Sequence, residues 1–380
     1  MVSPSSAGSG DNRIRCLQRR RSPANWVVEV RGARATSLET MAMRIKILGA
    51  GIVGLSVADE LLRRGHAVTV VDPAPGRGAS YAAAGMLSPS AELWHGEEEL
   101  LRLGGESLAL WPEYAGRLGV PLRTDGTVLV GYDAGDLQQV ERQVDLLGRH
   151  GAAVEVRDAG GVAVLEPGLG RVQGGALLRD PSVDPRAVMA GLLRRVPVVP
   201  ADAGGEHDAT VVATGSRLPA PYDLLVRGVR GEILRLHSDD PPTRTVRGWV
   251  RGEPVYVVPR ASGEVVVGAT SEEHDEAPVV TAGGVLRLLA AARLLWPALD
   301  RAELVEATAR DRPGTADNLP LIGPAGDGVV LAAGHYRHGV LLAPLTARLV
   351  ADHLETGAVD GAVDPRRLST LDQRTEGERC

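Results

Sequence analysis

The 380-residue chain has no phenylalanine, only two cysteines and a single lysine. The cysteines, Cys16 and Cys380, stand near opposite ends. That placement argues against a disulfide framework or a cysteine metal centre, and it points to the cytoplasm. Lys46 is the one lysine among 42 lysines and arginines; no mechanism follows from that bias. The sequence also lacks an apolar run of about 18 residues, so nothing in it reads as a membrane span. A formal charge of −6 argues against nucleic acid as a partner. No internal repeat is visible. The first forty residues lack the apolar core of a secretory signal, and Asp11, Glu29 and Glu39 do not suit a transit peptide. Around Arg19-Arg20-Arg21 they are mostly Pro, Ser, Gly and Arg. Residues 1–42 are therefore expected to be disordered, or an over-long start ahead of Met41 or Met43.

What is there begins at Ile45. An apolar run leads into Gly49-Ala50-Gly51-Ile52-Val53-Gly54, then an amphipathic helical pattern that Gly65 stops. A second apolar run, Ala67 to Val71, ends in Asp72. This is a strand–turn–helix–strand unit with GxGxxG at its first turn. Gly49 permits the tight turn, Gly51 lets a pyrophosphate approach the backbone, and Gly54 lets the helix pack on the strand. The helix N-terminus offers N–H groups and a positive dipole end to phosphate. Asp72, at the end of the second strand, has the reach of a carboxylate that binds ribose hydroxyls.

Downstream, Ala79-Ser80-Tyr81-Ala82-Ala83-Ala84-Gly85-Met86 is a run of small residues. It suits either a chain sliding along a flat ring system or close helix packing. Helices are expected over Leu100–Leu118, Leu137–Leu147, Val183–Arg195, Gly283–Leu295 and Val340–His353, with Asp184 and Pro185 as cap and first position of the third. Strands are expected over Gly126–Gly131, Thr210–Ala213 and Val329–Ala333, and a hairpin joins Pro254–Pro259 to Glu264–Gly268. Alternation puts Tyr256 on one face of that hairpin and Val255 and Val257 on the other. Thr214-Gly215, closing a buried strand, suits a backbone passing close to a cofactor. Arg310–Thr315 reads as a charged turn. Gly334-His335-Tyr336-Arg337-His338-Gly339 opens a second strand–turn–helix whose N-terminus can face an anion. No carboxylate or cysteine accompanies His335 and His338, so the pair does not read as a metal site. Trp94, Trp111 and Trp296 read as packing residues rather than a substrate cage. The fold class is α/β, a parallel domain with a mixed antiparallel sheet between its pieces.

Three blocks carry a family resemblance: Ala82–Leu87, Arg312-Pro313-Gly314-Thr315, and Gly334–Pro344. From about Met43 to about Leu354 the chain resembles the FAD-dependent oxidases of the D-amino-acid oxidase superfamily, in its glycine oxidase branch, which serves thiazole synthesis in thiamine biosynthesis. The resemblance implies a Rossmann-like FAD-binding domain in three segments, 43–92, 179–225 and 309–358. A substrate domain is inserted as 93–178 and 226–308, and a flexible tail follows over 359–380. It implies non-covalent FAD, with Gly49, Gly51, Ile52, Val53 and Gly54 on the pyrophosphate and Asp72 on the ribose, where the family usually has Glu. Ala79, Ser80, Ala84, Gly85 and Met86 would line the flavin, with Gly215 and the stretch His335, Tyr336, Arg337, His338, Gly339, Val340 and Leu341. Val198 stands where relatives contact the adenine, in an interval that is short and acidic here. Arg312 would bind a substrate carboxylate, with Tyr256 beside it and Arg337 near the same pocket; a planar guanidinium matches a carboxylate bidentately.

The implied activity is oxidation of glycine, or another small amino acid, to a 2-oxoacid and ammonia, with dioxygen reduced to hydrogen peroxide. A homo-oligomer and hand-off to a thiazole synthase remain open. So do a dehydrogenase of the same fold using another electron acceptor, a D-amino-acid or sarcosine type of oxidase, and a non-catalytic flavin-binding assembly protein. With no cysteine near the site, the purified protein is expected to be yellow and to release intact FAD on acid precipitation. Flavin remaining on the chain, or a colourless protein binding NAD, would be the contrary result.

Overall fold

The structure, a computed structural model, describes residues 42–368 apart from Asp275. The expectation for the N-terminal extension lies outside the described residues, except Ala42. The chain opens with β1 (Arg44–Leu48), α1 (Ile52–Arg63), β2 (Ala67–Val71), α2 (Ala79–Ala82) and α3 (Glu98–Leu118). It continues through β3 (Thr127–Gly131), α4 (Ala134–Arg149), β4 (Val154–Asp158), α5 (Ala159–Leu165) and β5 (Gly174–Leu178). Next come α6 (Pro185–Leu193), β6 (Val198–Val199) and β7 (Ala209–Val212), then β8 (Arg227–His237), β9 (Thr245–Val250), β10 (Glu253–Pro259) and β11 (Glu264–Gly268). The last elements are α7 (Ala282–Leu295), β12 (Glu303–Gly314), β13 (Leu321–Gly326), β14 (Val329–Ala333) and α8 (Ala343–Thr356).

Local chemistry explains most boundaries. Asp184 caps α6 through the Arg186 N–H with Pro185 in the first turn, and Thr281 caps α7 through the Gly284 N–H. At α4, Asp133 and Asp136 form a reciprocal capping box.

The strands form two sheets. One has the order β13-β14-β7-β1-β2-β6, parallel except for β13 on β14. Apolar residues of α1, α3, α6 and α8, Leu55, Leu61, Trp111 and Val350 among them, share a core with Ile45 and Ile47 of β1. The other has the order β12-β8-β11-β10-β9-β3-β5-β4 and is antiparallel except for β3 beside β9. Here one face, with Val255, Val257, Val265 and Val267, packs under α7 against Leu288, Leu295 and Trp296. Alternation sends Tyr256 to the other face, beside Ile233, Val258, Val266 and the Ala82–Met86 segment.

Three expectations need correction. Arg310 to Gly314 is not a turn but the end of β12, paired with β8 from Glu303 onward. The strand lies at the sheet edge, where Pro313 withholds no ladder hydrogen bond from a second neighbour. Helix α8 starts at Ala343 rather than Val340, because residues 334–342 coil through tight turns such as His338 N–H to His335 O. The tail from 359 is not loose as far as Leu368. Val363 is buried and its carbonyl accepts the Ile322 N–H, while Arg367 meets the Asp317 carboxylate at 2.8 Å. Beyond Leu368 the expectation lies outside the described residues.

The coil before α8 is clasped by α3: Ser107 Oγ and Trp111 Nε1 both donate to the buried Leu341 carbonyl, at 2.6 and 2.9 Å. Ser107→Ala, which leaves the second donor, is expected to cost about 1 kcal/mol. Combining it with Trp111→Phe strands the carbonyl and should cost roughly 1–3 kcal/mol more, apart from lost volume. Urea unfolding of the FAD-loaded protein measures both.

Candidate active site

The carboxyl ends of β1, β7 and β14 open on one cleft of about 440 Å³, and the face of the antiparallel sheet opposite α7 forms its other wall. Ligands collect at such strand ends in parallel α/β sheets. The expected site residues Gly49, Gly51, Ile52, Val53, Asp72, Ala79, Ser80, Ala84, Gly85, Met86 and Gly215 all line it, as do Tyr256, Arg312 and every residue from His335 to Leu341. Gly54 and Val198 do not. Gly54 works from behind, since a Cβ there would run into the Gly49 carbonyl. Val198 pairs with Val70 at the sheet's far edge.

The cofactor end is built from backbone. Gly49 sits at φ +101° and would bring a Cβ within 2.7 Å of the Ala213 carbonyl carbon. That lets the N-terminus of α1 sit flush with the strand ends. Gly51 is different: a Cβ there would meet only Ser80 Oγ, at 3.3 Å, and would otherwise enter the cleft. The protein itself barely needs that glycine; a pyrophosphate against the backbone does. Ser80 Oγ accepts the Ile52 N–H at 3.0 Å, leaving the Val53 N–H without a protein partner among the described residues. Asp72 accepts the N–H groups of Ala50 and Ala74, one on each oxygen, both at 2.7 Å. Each oxygen keeps a second lone pair for a ribose hydroxyl. These features fit FAD.

The residues of the small-residue run divide between packing and the cleft wall. Gly85, at φ +79°, is demanded by packing, because a Cβ would strike the Val183 carbonyl and stand 2.7 Å from Pro185 Cδ. Ala82, Ala83 and Ala84 face the cleft. Two buried arginines support them from the sheet. Arg260 donates to the Ala84 carbonyl and Arg235 reaches Ala83 O at 3.5 Å; burial lowers the Arg260 guanidinium to about 10.

The far end is built from side chains. Arg312 Nη1 donates to the carbonyls of Arg230, at 3.3 Å, and Thr270, at 3.1 Å. No carboxylate among the described residues pairs with Arg312, so its other donors remain for a ligand. Burial raises the Tyr256 phenol above its ordinary value, outweighing the nearby Arg312 cation, so it stays a hydroxyl. Arg337 is engaged instead: it meets Glu92 at 3.0 Å and Glu97 at 2.7 Å. Arg247 also pairs with Glu92. Burial pushes the Glu92 carboxyl up, but Arg247, Arg337 and His338 outweigh it and hold Glu92 ionised.

Sequence reading missed Glu92, Arg247 and Trp249 as residues of the cleft. Trp94, 47% exposed, lines the cleft edge-to-face with Trp249 at 6.4 Å. Trp111 and Trp296 are packing residues as expected. A signal for Arg247 and Trp249 existed in β9: they alternate onto the face of Tyr256, whose register partner is Arg247.

The two histidines of the 334–342 coil are interior groups. His335 Nε2 bonds Thr346 Oγ1 at 2.8 Å, and burial lowers the imidazoles of His335 and His338 to about 3 and about 4. In the unfolded chain they protonate near 6.5. Between about pH 6.5 and 4 the unfolded state therefore binds more protons, and stability falls as pH falls through that window. Thermal melts at pH 7 and pH 5 should show a drop that shrinks in His335→Gln. An equal drop in that variant would assign the pH dependence to other groups.

Comparison with known proteins agrees with this geometry. Residues 44–353 match the family model described as DAO, FAD dependent oxidoreductase. A Rhizobium etli protein named as a thiamine biosynthesis oxidoreductase, ThiO, is 37% identical over 83% of this chain and 97% of its own length. A bifunctional ThiO/ThiG protein of Trichormus variabilis is 32% identical over 83% of this chain, which spans 53% of that longer protein. The crystal structure of glycine oxidase from Geobacillus kaustophilus superposes with a TM-score of 0.74 at 28% identity, covering 85% of this chain and 97% of that one. With its glycine fingerprint, cleft and matched span in agreement, the chain belongs to the DAO family of FAD-dependent oxidoreductases.

Proposed function

We propose that this protein oxidises glycine, or another small amine-bearing acid, to the imine and then the 2-oxoacid, with dioxygen as acceptor, and that the product serves thiazole formation. The observation that carries the proposal is Arg312, a cation in the cleft with donors to spare and no carboxylate partner among the described residues. A substrate carboxylate supplies the missing charge and the bidentate acceptor. The glycine oxidase and ThiO names of the relatives support the substrate class, and the ThiO/ThiG fusion supports hand-off to a thiazole synthase.

Bound FAD supplies the two-electron acceptor for the substrate's carbon–nitrogen bond. The chain supplies orientation. Arg312 fixes the carboxylate end, and the Tyr256 hydroxyl is available as a second donor. Glu92 is committed to Arg247 and Arg337, so it is not a free base. The surplus of arginine over acid in the cleft disfavours an ammonium and favours the neutral amine from which electrons can leave. The small residues of the Ala82–Met86 run and the Trp94–Trp249 pair line the cleft, which leaves room for a compact substrate.

Arg312→Ala should leave FAD bound and lower kcat/KM for glycine by roughly a hundredfold or more. Arg312→Lys should recover only part, because a point charge lacks the planar fork. Tyr256→Phe should cost less than Arg312→Ala. Near-normal glycine kinetics in Arg312→Ala, or loss of its flavin, would make Arg312 structural and end this assignment. Peroxide release with glycine, sarcosine and D-alanine separates an oxidase from a dehydrogenase and ranks the substrates.

A further inference from the structure

Arg312 and Tyr256 do not sit on neighbouring strands. In the order β12-β8-β11-β10 they are separated by two strands, about 14 Å at roughly 4.8 Å per strand. Their side chains reach toward each other across β8 and β11, and each passes over a glycine. A Cβ on Gly231 of β8 would stand 2.5 Å from Arg312 Cζ and closer still to both Nη atoms. A Cβ on Gly268 of β11 would stand 2.7 Å from Tyr256 Cε2 and closer to the ring's Cζ and hydroxyl. Neither glycine has a positive φ. Strand interiors disfavour glycine unless something approaches closely. At Gly175 and Gly248 of the same sheet that approach is backbone: Cβ atoms there would strike the carbonyls of Leu129 and Val130. At Gly231 and Gly268 the three nearest atoms all belong to the working end of a cleft side chain.

We propose that Gly231 and Gly268 are positioning residues: two recesses in the sheet face that let the Arg312 guanidinium and the Tyr256 phenol lie flat and converge on one substrate. This rests on the reading of Arg312 as the carboxylate anchor. A methyl group at Gly231 lifts the fork off the sheet by more than an ångström, and a displacement of that size costs on the order of a hundredfold where orientation matters. The same substitution is neutral or favourable for the strand itself, since alanine has less chain entropy to lose. Stability and substrate binding are therefore driven in opposite directions.

The test uses FAD-loaded Gly231→Ala, Arg312→Ala and the double variant, with Gly268→Ala and Tyr256→Ala as a second set. Readouts are melting temperature, glycine kinetics, and the dissociation constant of acetate followed by flavin absorbance. Acetate is the carboxylate of glycine without its amine. Gly231→Ala should melt at or above the wild-type temperature, with KM for glycine and Kd for acetate raised about tenfold or more and kcat changed less. In the Arg312→Ala background the added methyl should change acetate binding less than about twofold, the signature of coupling through one side chain. Gly268→Ala should behave likewise against Tyr256→Ala, with the smaller effect. Acetate binding at wild-type strength in Gly231→Ala, an undiminished penalty without Arg312, or a Gly231→Ala protein that fails to fold or hold FAD each overturns the proposal. If Arg312→Ala itself keeps normal glycine kinetics, the carboxylate reading fails first and the recess loses its purpose with it.

Discussion

The close approach of α1 to the ends of β1 and β7 is the constraint on which the cleft depends. Gly49 lets the chain turn at φ +101° against the Ala213 carbonyl, and Gly54 lets the helix press against Gly49 itself. Any side chain at either position would lift the helix from the sheet. With the helix seated, Ser80 can reach the Ile52 N–H and Asp72 the Ala50 N–H, so the segments after β2 are registered on the same turn. The 334–342 coil is drawn in from the other side, tied to α3 through Leu341 and to β12 through the Tyr336 N–H on the Pro313 carbonyl. Cofactor cradle and substrate wall thus share one set of backbone contacts.

Electrostatics divides the labour within the cleft. Of the arginines at the substrate end, Arg247 and Arg337 are neutralised in part by Glu92, and Arg337 further by Glu97. Arg312 alone among these three bonds only to carbonyls, which satisfy hydrogens without cancelling charge. A buried cation is costly unless paired. The imbalance is tolerable because the guanidinium opens on a cleft, and the carboxylate proposed above as its ligand would remove it. Glu92 meanwhile offsets two cations of the cleft, Arg247 and Arg337.

How much of this the sequence discloses follows from how local each signal is. The fingerprint, Asp72 and the α6 cap were legible because each is a short pattern whose partners lie within one supersecondary unit. Arg312, which lines the cleft, was not legible as a strand residue. Arg-Asp-Arg-Pro-Gly has turn composition, and only pairing with β8, some eighty positions earlier, makes it extended. Glu92, Trp94, Arg247 and Trp249 meet from a loop and a strand about 155 positions apart, with no motif to join them. The length of the docked tail was illegible for the same reason: Val363 and Arg367 owe their order to Ile322 and Asp317.

The two walls differ in what they are made of, and this bears on how substrate choice is encoded. On the cofactor side the contacts are glycine backbone, amides and alanines, which a nucleotide reads by shape and dipole. Substitutions at Gly49 and Gly54 disturb the fold, since both are held by backbone collisions. On the substrate side the contacts are side chains standing on one face of a sheet whose opposite face carries the core with α7. Residues on the two faces alternate, so the cleft face can change while Val255, Val257, Val265 and Val267 stay in place. On the function proposed above, substrate specificity is written on Arg312, Tyr256, Arg247, Trp249 and the floor beneath them, all of which line the cleft. The family fold alone does not choose a substrate; under the proposed function that choice falls to the side chains on that one sheet face.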